Sequence, residues 1–116
     1  MKILIVLNDA PYGSERTYNG LRLAGSLVKP GDVELKVFLI GDAAAAAARD
    51  QKVPTGHYNV EVMLKTVSRG GGEIGVCASC MDARGVKQEM LAEGCHRSSM
   101  DELTAWTRSA DRVLVF

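Results

Sequence analysis

The sequence lacks any apolar run of the roughly 18 residues that a membrane-spanning helix needs. Its opening apolar stretch, residues 3–7, turns polar at Asn8 and is too short for the hydrophobic region of a secretion signal. A surplus of one charge is also lacking, because 14 Lys and Arg residues balance 14 Asp and Glu residues. That balance argues against general binding of nucleic acid or of an anionic membrane surface. We therefore expect a cytoplasmic protein that binds neither.

Recognisable cofactor motifs are missing too. Residues 70–75 match the spacing GxGxxG, but they precede a predicted strand instead of following one, so they do not form a phosphate loop. The chain contains no GxxxxGKS/T sequence and no nucleophile elbow. Its three cysteines are an odd number, which favours reduced thiols over a disulfide framework. A lone CxxC is half of a zinc site, but no second CxxC or HxxxH completes it. We expect no metal and no cofactor.

The length and the hydrophobic pattern predict one α/β domain spanning residues 1–116. A domain takes roughly 100–200 residues, and no shift in composition divides this chain. Strands are predicted at residues 2–7, 33–40, 74–77 and 112–116. Helices are predicted at residues 21–28, 60–68, 86–93 and 100–109, with Asn59 and the box at residues 99–102 as caps and a further helix start at Asp42. Strands alternating with helices indicate a layered fold with a mainly parallel sheet.

The stretch after the third predicted strand carries the clearest chemistry. Cys77 ends that strand, Cys80 follows three residues later, and Arg84 lies close by in the sequence. In an open parallel sheet, reactive groups collect beyond the carboxyl ends of the strands. Backbone N–H groups at the start of a following helix and the positive charge of Arg84 would both lower the pKa of a thiol. Cys77 is thus a candidate nucleophile, and the alternative is a small buried apolar residue.

Cys77 and Cys80 form a CxxC motif, and the role of Cys80 in it stays open. The pair can form a reversible disulfide, although its placement matches a thioredoxin-like motif poorly. Cys95 follows Gly94 and is expected to be a partly buried loop residue.

Two loops supply candidate pocket walls. Asp9, Tyr12, Gly13 and Ser14 follow the first predicted strand, and His57 lies in a second, long loop. That loop exceeds the roughly four to six residues that are usual, which mildly favours a function. The alternatives are an Asx turn for Asp9, a helix cap for Ser14 and a solvated side chain for His57.

Together these segments resemble the DsrE/DsrF-like sulfur-relay family, which includes TusD-like proteins, over nearly the whole chain. The likeness lies in the turn after the first strand, the second strand, the strand-end cysteine, the active loop and the closing strand: Ala-Pro-Tyr-Gly-Ser (10–14), Val-Phe-Leu (37–39), Ile-Gly-Val-Cys (74–77), Ala-Arg-Gly-Val (83–86) and residues 110–116. The run from Cys80 to Gly85 is more similar to the YchN-like branch of the family.

The resemblance implies a three-layer α/β sandwich of the DsrE-like type, with a mainly parallel sheet and a flavodoxin-like architecture. It implies that Cys77 carries sulfane sulfur as a persulfide, taken from a donor protein and passed to a cysteine of an acceptor protein. In that role Arg84 would stabilise charge, and Cys80 would resolve the persulfide or assist the transfer. The resemblance also implies a homo-oligomer, trimeric or hexameric, or an assembly with related subunits.

Two other functions stay open. One is a non-catalytic oligomer that binds a small ligand or a partner in a pocket between the first and third loops. The other is a thiol–disulfide redox protein that uses Cys77 and Cys80, and resolution of a Cys77 persulfide by Cys80 would release sulfide. Whatever the function, we expect copies of the chain to associate, with exposed apolar side chains such as Trp106 and Phe116 at the contact between subunits.

Overall fold

Five parallel strands at the centre of the molecule position the residues of interest, and the computed structural model describes all residues from 1 to 116. In chain order the strands are β1 (Lys2–Leu7), β2 (Glu34–Leu39), β3 (Glu73–Cys77), β4 (Cys95–Ser98) and β5 (Arg112–Val115). Every neighbouring pair is parallel, and the order across the sheet is β4-β3-β2-β1-β5. The predicted α/β fold with a parallel sheet is therefore confirmed.

Four α-helices pack against this sheet. They are α1 (Arg16–Val28), α2 (Val60–Arg69), α3 (Ala78–Ala83) and α4 (Met100–Ser109), and two 3₁₀ segments cover Gly41–Ala47 and Gln88–Met90. Asn59 caps α2 as predicted, because its side chain accepts a hydrogen bond of 3.2 Å from the Val62 N–H. None of the helices is both long enough and apolar enough to cross a membrane.

The larger core lies between one face of the sheet and helices α1 and α2. Alternate residues along each strand point to this face, as the two-residue repeat of a strand requires. On the helices, the buried positions follow a spacing of three or four residues, which places them on one side. The central members are Ile3, Ile5 and Leu7 of β1, Val37 and Leu39 of β2, Leu21, Ala24 and Val28 of α1, and Val60, Leu64 and Val67 of α2.

The opposite face of the sheet is covered by α4. Leu4, Phe38, Cys77 and Trp106 form a small buried cluster there. Gly75 lies under Trp106, and a Cβ atom at this position would be only 3.1 Å from the indole ring. The glycine thus lets α4 approach the sheet closely. Trp106 is 7% exposed, so the expectation that it is an exposed apolar residue is wrong, because its indole completes this cluster.

The helix predicted over residues 86–93 is wrong. Only Gln88–Met90 turns, as a 3₁₀ segment, and Leu91 pairs in an antiparallel bridge with Ala48. The backbone of this region forms only the short bonds of a 3₁₀ turn, such as the one from the Met90 N–H to the Lys87 carbonyl, and it also bonds to another segment: the Arg49 N–H donates to the Met90 carbonyl over 2.8 Å. Backbone groups satisfied in this way leave no partners for an α-helical ladder.

Cys95 starts β4, so the loop predicted for it is also wrong. The strand reads Cys-His-Arg-Ser and pairs on one side only, with β3. An edge strand of this kind needs no continuous apolar run, because its residues are not enclosed on every side.

The alanine run likewise departs from the prediction of a helix capped by Asp42. Gly41–Ala47 is a 3₁₀ segment preceded by Ile40 at its cap, and its Ala43, Ala44, Ala46 and Ala47 side chains are fully buried. The Asp42 carboxylate instead accepts a hydrogen bond of 2.7 Å from the guanidinium of Arg84. Asp42 therefore ties this segment to the end of α3.

Candidate functional site

Cys77 lies at the point where β3 passes directly into α3. It is the last residue of the strand and occupies the cap position of the helix. Its side chain belongs to the cluster under α4, and the residue is 8% exposed. That exposure opens into a surface depression of about 230 Å³, whose walls include Phe38, Ser98 and Met100. We call this the Cys77 depression.

The environment of Cys77 favours its thiolate. Burial by itself would raise the pKa of this thiol, but hydrogen bonds from the Cys80 thiol, the Ser79 hydroxyl and the backbone N–H groups of both residues outweigh it. The Ser79 oxygen lies 3.4 Å from the Cys77 sulfur. The pKa of Cys77 is therefore below that of an ordinary cysteine, which makes it the better nucleophile of the pair.

Cys80 is held as a protonated thiol. Burial and the hydrogen bond to Cys77 raise its pKa, and the Gly41 N–H and the Arg84 charge lower it by less. The Gly41 N–H donates to the Cys80 sulfur over 3.1 Å. Both thiols are free, so the structure describes the reduced form of the pair.

Two arginines near the cysteines are each paired with a carboxylate. Arg84 donates to Asp42 over 2.7 Å and to the Cys80 carbonyl over 3.0 Å. Arg97 donates to both oxygens of Asp82, each over 2.9 Å. The structure thus brings Arg84 to the cysteine loop, where its charge acts on Cys80.

A hydrogen-bonded chain begins at Ser98, in the wall of the Cys77 depression. The Ser98 hydroxyl donates to Glu102 Oε1 over 2.6 Å, and the His96 ring contacts the same oxygen through its Nε2. The Ser99 hydroxyl accepts from the Glu102 N–H over 3.1 Å and caps α4. Only this half of the predicted capping box forms, because the Glu102 carboxylate turns to Ser98 and His96 instead of to the Ser99 backbone.

The five predicted pocket residues lie elsewhere on the surface. The Ser14 hydroxyl donates to the Asp9 carboxylate over 2.6 Å, so these two bond to each other. Tyr12, Gly13 and His57 line a separate cavity of about 340 Å³. None of the five lines the Cys77 depression.

Sequence reasoning predicted none of the residues that line the depression beside Cys77 as site residues, and it gave Asp42 a different role. Phe38, Ser98 and Met100 line the depression, and Asp42 pairs with Arg84. Ser98 carries no recognisable signal because β4 itself lacks an apolar pattern. No group of three or more His, Cys, Asp or Glu side chains is placed to hold a metal ion.

Cys95 is expected to resist alkylation in the native protein. Burial, helped by the charge of Glu61, raises the pKa of its thiol to about 12, so the reactive thiolate is scarce near neutral pH. Treatment with iodoacetamide followed by peptide mapping should label Cys77 first, and Cys95 only after unfolding in urea. Equal labelling of both cysteines in the native protein would contradict this assignment.

Comparison with known proteins places the whole chain in one family. The model of the DsrE/DsrF-like family matches residues 1–116. Protein YchN of Escherichia coli is 41% identical over 116 residues, covering 99% of this chain and 98% of the relative. An uncharacterized protein of Methanocaldococcus jannaschii, MJ0989, is 34% identical over 116 residues and covers both chains fully.

Two solved structures have the same fold as this chain over nearly its whole length. The crystal structure of the E. coli ychN protein has a TM-score of 0.93 and covers 99% of this chain and 98% of its own. The protein of unknown function MTH1491 from Methanobacterium thermoautotrophicum, at 12% identity and a TM-score of 0.78, covers 99% of this chain and 98% of its own and shares the fold. The chain belongs to the DsrE/DsrF-like family.

Proposed function

We propose that this protein is a sulfur carrier that accepts sulfane sulfur as a persulfide on Cys77 and passes it to an acceptor thiol. The observation that carries the proposal is the Cys77 thiol itself. Three features act together: its pKa is lowered, it takes hydrogen bonds from Cys80 and Ser79, and it opens into a depression. Membership of the DsrE/DsrF-like family, in which relay chemistry is expected, supports the same function.

Both half-reactions are thiolate exchanges at sulfur. The Cys77 thiolate attacks the outer sulfur of a donor persulfide, so a new S–S bond forms, the donor S–S bond breaks and the donor leaves as a thiolate with the electron pair. An acceptor thiolate then attacks the outer sulfur on Cys77 and releases the Cys77 thiolate. No external oxidant or reductant is consumed, and Arg84 would act through Cys80.

Intact-protein mass spectrometry tests this function. The reduced protein is incubated with a sulfane-sulfur donor in the absence of reductant, and its mass is compared before and after. The carrier function predicts a gain of one sulfur, reversed by a small thiol. An unchanged mass would contradict it and would favour a non-covalent binding module.

A redox function is the second candidate, and the contact between the Cys80 and Cys77 thiols favours it. The step is the loss of two hydrogens to an oxidant such as a disulfide, which is reduced to two thiols as a Cys77–Cys80 disulfide forms. A mass loss of two hydrogens, without any sulfur gain, would support this candidate over the carrier. A reducing compartment such as the cytoplasm would keep both thiols available for either chemistry.

We further propose that donor and acceptor are proteins and that copies of this chain assemble into a trimer or hexamer. Val113 and Val115 of the edge strand β5 are 41% and 67% exposed and pair in register with Leu4 and Val6, so they share the face that carries α4. Exposed valines on a sheet edge are a common site of association between subunits. A second copy of the chain is the occupant that the family resemblance implies.

Sedimentation velocity tests this assembly. We expect a species larger than the monomer at micromolar concentration, and we expect Val115→Asp to shift it towards the monomer. Val62→Asp, at a position on α2 that is 56% exposed, is the matched control and should leave the assembly intact. A wild-type monomer at that concentration would contradict the proposal.

A further inference from the structure

We infer that Ser98 makes the Cys77 depression selective for sulfur donors that present a protonated S–H group, and that it disfavours anionic donors such as thiosulfate. This inference rests on the proposed carrier function and names the donor form that the site accepts. Two independent features support it: the orientation of one hydroxyl, and the absence of a basic residue from the lining of the depression.

The position of Ser98 places it opposite the reacting sulfur. Ser98 is the register partner of Cys77 across the β3–β4 pair, so both side chains point to the same face of the sheet. Both line the Cys77 depression, and Ser98 is only 7% exposed. A group that reacts at Cys77 therefore lies beside the Ser98 oxygen.

The proton of the Ser98 hydroxyl is committed elsewhere. It is donated over 2.6 Å to Glu102, whose carboxylate is held ionised because hydrogen bonds from Ser98 and His96 outweigh burial and lower its pKa. A serine hydroxyl has one proton and two lone pairs, so Ser98 offers only acceptor capacity to the depression. An incoming S–H group can donate to it, whereas an anionic oxygen or sulfur cannot.

No lysine, arginine or histidine lines the Cys77 depression, and three cationic side chains around it are paired with carboxylates. Lys36 contacts Glu73 at 2.9 Å, Arg84 contacts Asp42 at 2.7 Å, and Arg97 contacts Asp82 at 2.9 Å. The His96 ring contacts the Glu102 carboxylate through its Nε2. A thiosulfate ion would thus enter a site that offers it an acceptor oxygen and no free cation, and its desolvation would go uncompensated.

The protonated persulfide is also the chemically competent electrophile. The Cys77 thiolate attacks the outer sulfur of R–S–SH, so that the Cys77 sulfur carries an added S–H group. The R–S⁻ group leaves with the electron pair of the broken S–S bond. The S–H proton stays on the transferred sulfur throughout this step. An ionised R–S–S⁻ donor would instead set two negative sulfurs against each other.

The experiment measures the rate at which Cys77 gains sulfur from two donors, an alkyl hydropersulfide and thiosulfate. Ser98→Ala should slow loading from the hydropersulfide by roughly tenfold, since one hydrogen bond in a desolvated site is lost. Ser98→Thr keeps a hydroxyl and should restore most of that rate. Alkylation of Cys77 by iodoacetamide involves no S–H group and should stay unchanged in Ser98→Ala, which separates the proposed role from misfolding.

A gain-of-function variant tests the charge argument separately. Met100 lines the depression and is 60% exposed, so Met100→Lys adds a cation at its edge and should raise loading from thiosulfate several-fold. In that reaction the Cys77 thiolate takes the outer sulfur and sulfite leaves. Met90→Lys, at a position that is 41% exposed and outside the depression, is the matched control and should have no effect.

The outcomes separate a failure of the donor selectivity from a failure of the carrier function. Absence of sulfur gain from either donor in the wild-type protein would overturn the carrier function. Normal loading in the wild type, with an unchanged hydropersulfide rate in Ser98→Ala or a wild-type preference for thiosulfate, would overturn the selectivity alone.

Discussion

Cys77→Ser is expected to abolish sulfur loading completely, and Cys80→Ser is expected to preserve it. A serine hydroxyl is almost wholly protonated at neutral pH and is a weak nucleophile without a base beside it. At residue 80, by contrast, a serine hydroxyl can still donate a hydrogen bond to the Cys77 sulfur, as the Cys80 thiol does. Mass spectrometry after exposure to an alkyl hydropersulfide measures both effects.

Cys80→Ala separates the two roles of residue 80. Alanine removes the hydrogen bond that helps to lower the pKa of Cys77, so that pKa should rise towards the ordinary range. The thiolate fraction at neutral pH then falls, and the pH profile of Cys77 alkylation moves to higher pH. Cys80→Ser should leave the profile nearly in place.

Cys95→Ser serves as the control for this series, because the Cys95 thiol is held protonated by burial and is expected to take no part. It should load sulfur at the wild-type rate. If Cys80→Ser lost loading as completely as Cys77→Ser, the carrier account would give way to a dithiol reaction that needs both sulfurs.

Phe38→Ala should lower the free energy of unfolding by about 3–5 kcal/mol, the usual range for removing a fully buried phenylalanine. The Phe38 side chain has no exposed surface and meets the Trp106 ring edge-on, with 6.2 Å between ring centroids. The substitution removes this contact and leaves a cavity between the sheet and α4. Urea unfolding measures the change, as a fall in the midpoint.

Val62→Ala is the control for that measurement. Val62 is 56% exposed on α2, so its truncation should change the free energy of unfolding by no more than about 0.5 kcal/mol. A loss below about 1 kcal/mol for Phe38→Ala would mean that the cluster under α4 contributes little. The packing described for that face of the sheet would then be wrong.

The parts of the fold that the sequence predicts are those with a strong local signal. The apolar run of residues 2–7 forms β1 with the predicted bounds, and α4 spans Met100–Ser109 because Ser99 caps it as expected. Cys77 lies at the end of a strand, as its position after Ile-Gly-Val indicates. Periodicity and capping are local properties, so they are legible without the tertiary structure.

The remaining features depend on contacts between distant segments. β4 is polar and short, and only its pairing with β3 makes it a strand. That pairing also sets Ser98 beside Cys77, although 21 positions separate the two residues in the sequence. Likewise, Asp42 is a plausible cap by sequence, but its carboxylate is taken by Arg84, 42 residues away. Register and long-range ion pairs of this kind leave no periodic trace.

The most direct test of the central claim follows the sulfur atom itself. The protein is loaded from an alkyl hydropersulfide carrying isotopically labelled sulfane sulfur, mapped by peptide mass spectrometry, and then mixed with an excess of an acceptor thiol. The carrier account predicts labelled sulfur on Cys77 alone, followed by its recovery as a persulfide of the acceptor and a free Cys77 thiol. A Cys77–Cys80 disulfide with the label released as sulfide before any acceptor is added, or label bound at Cys95, would contradict it.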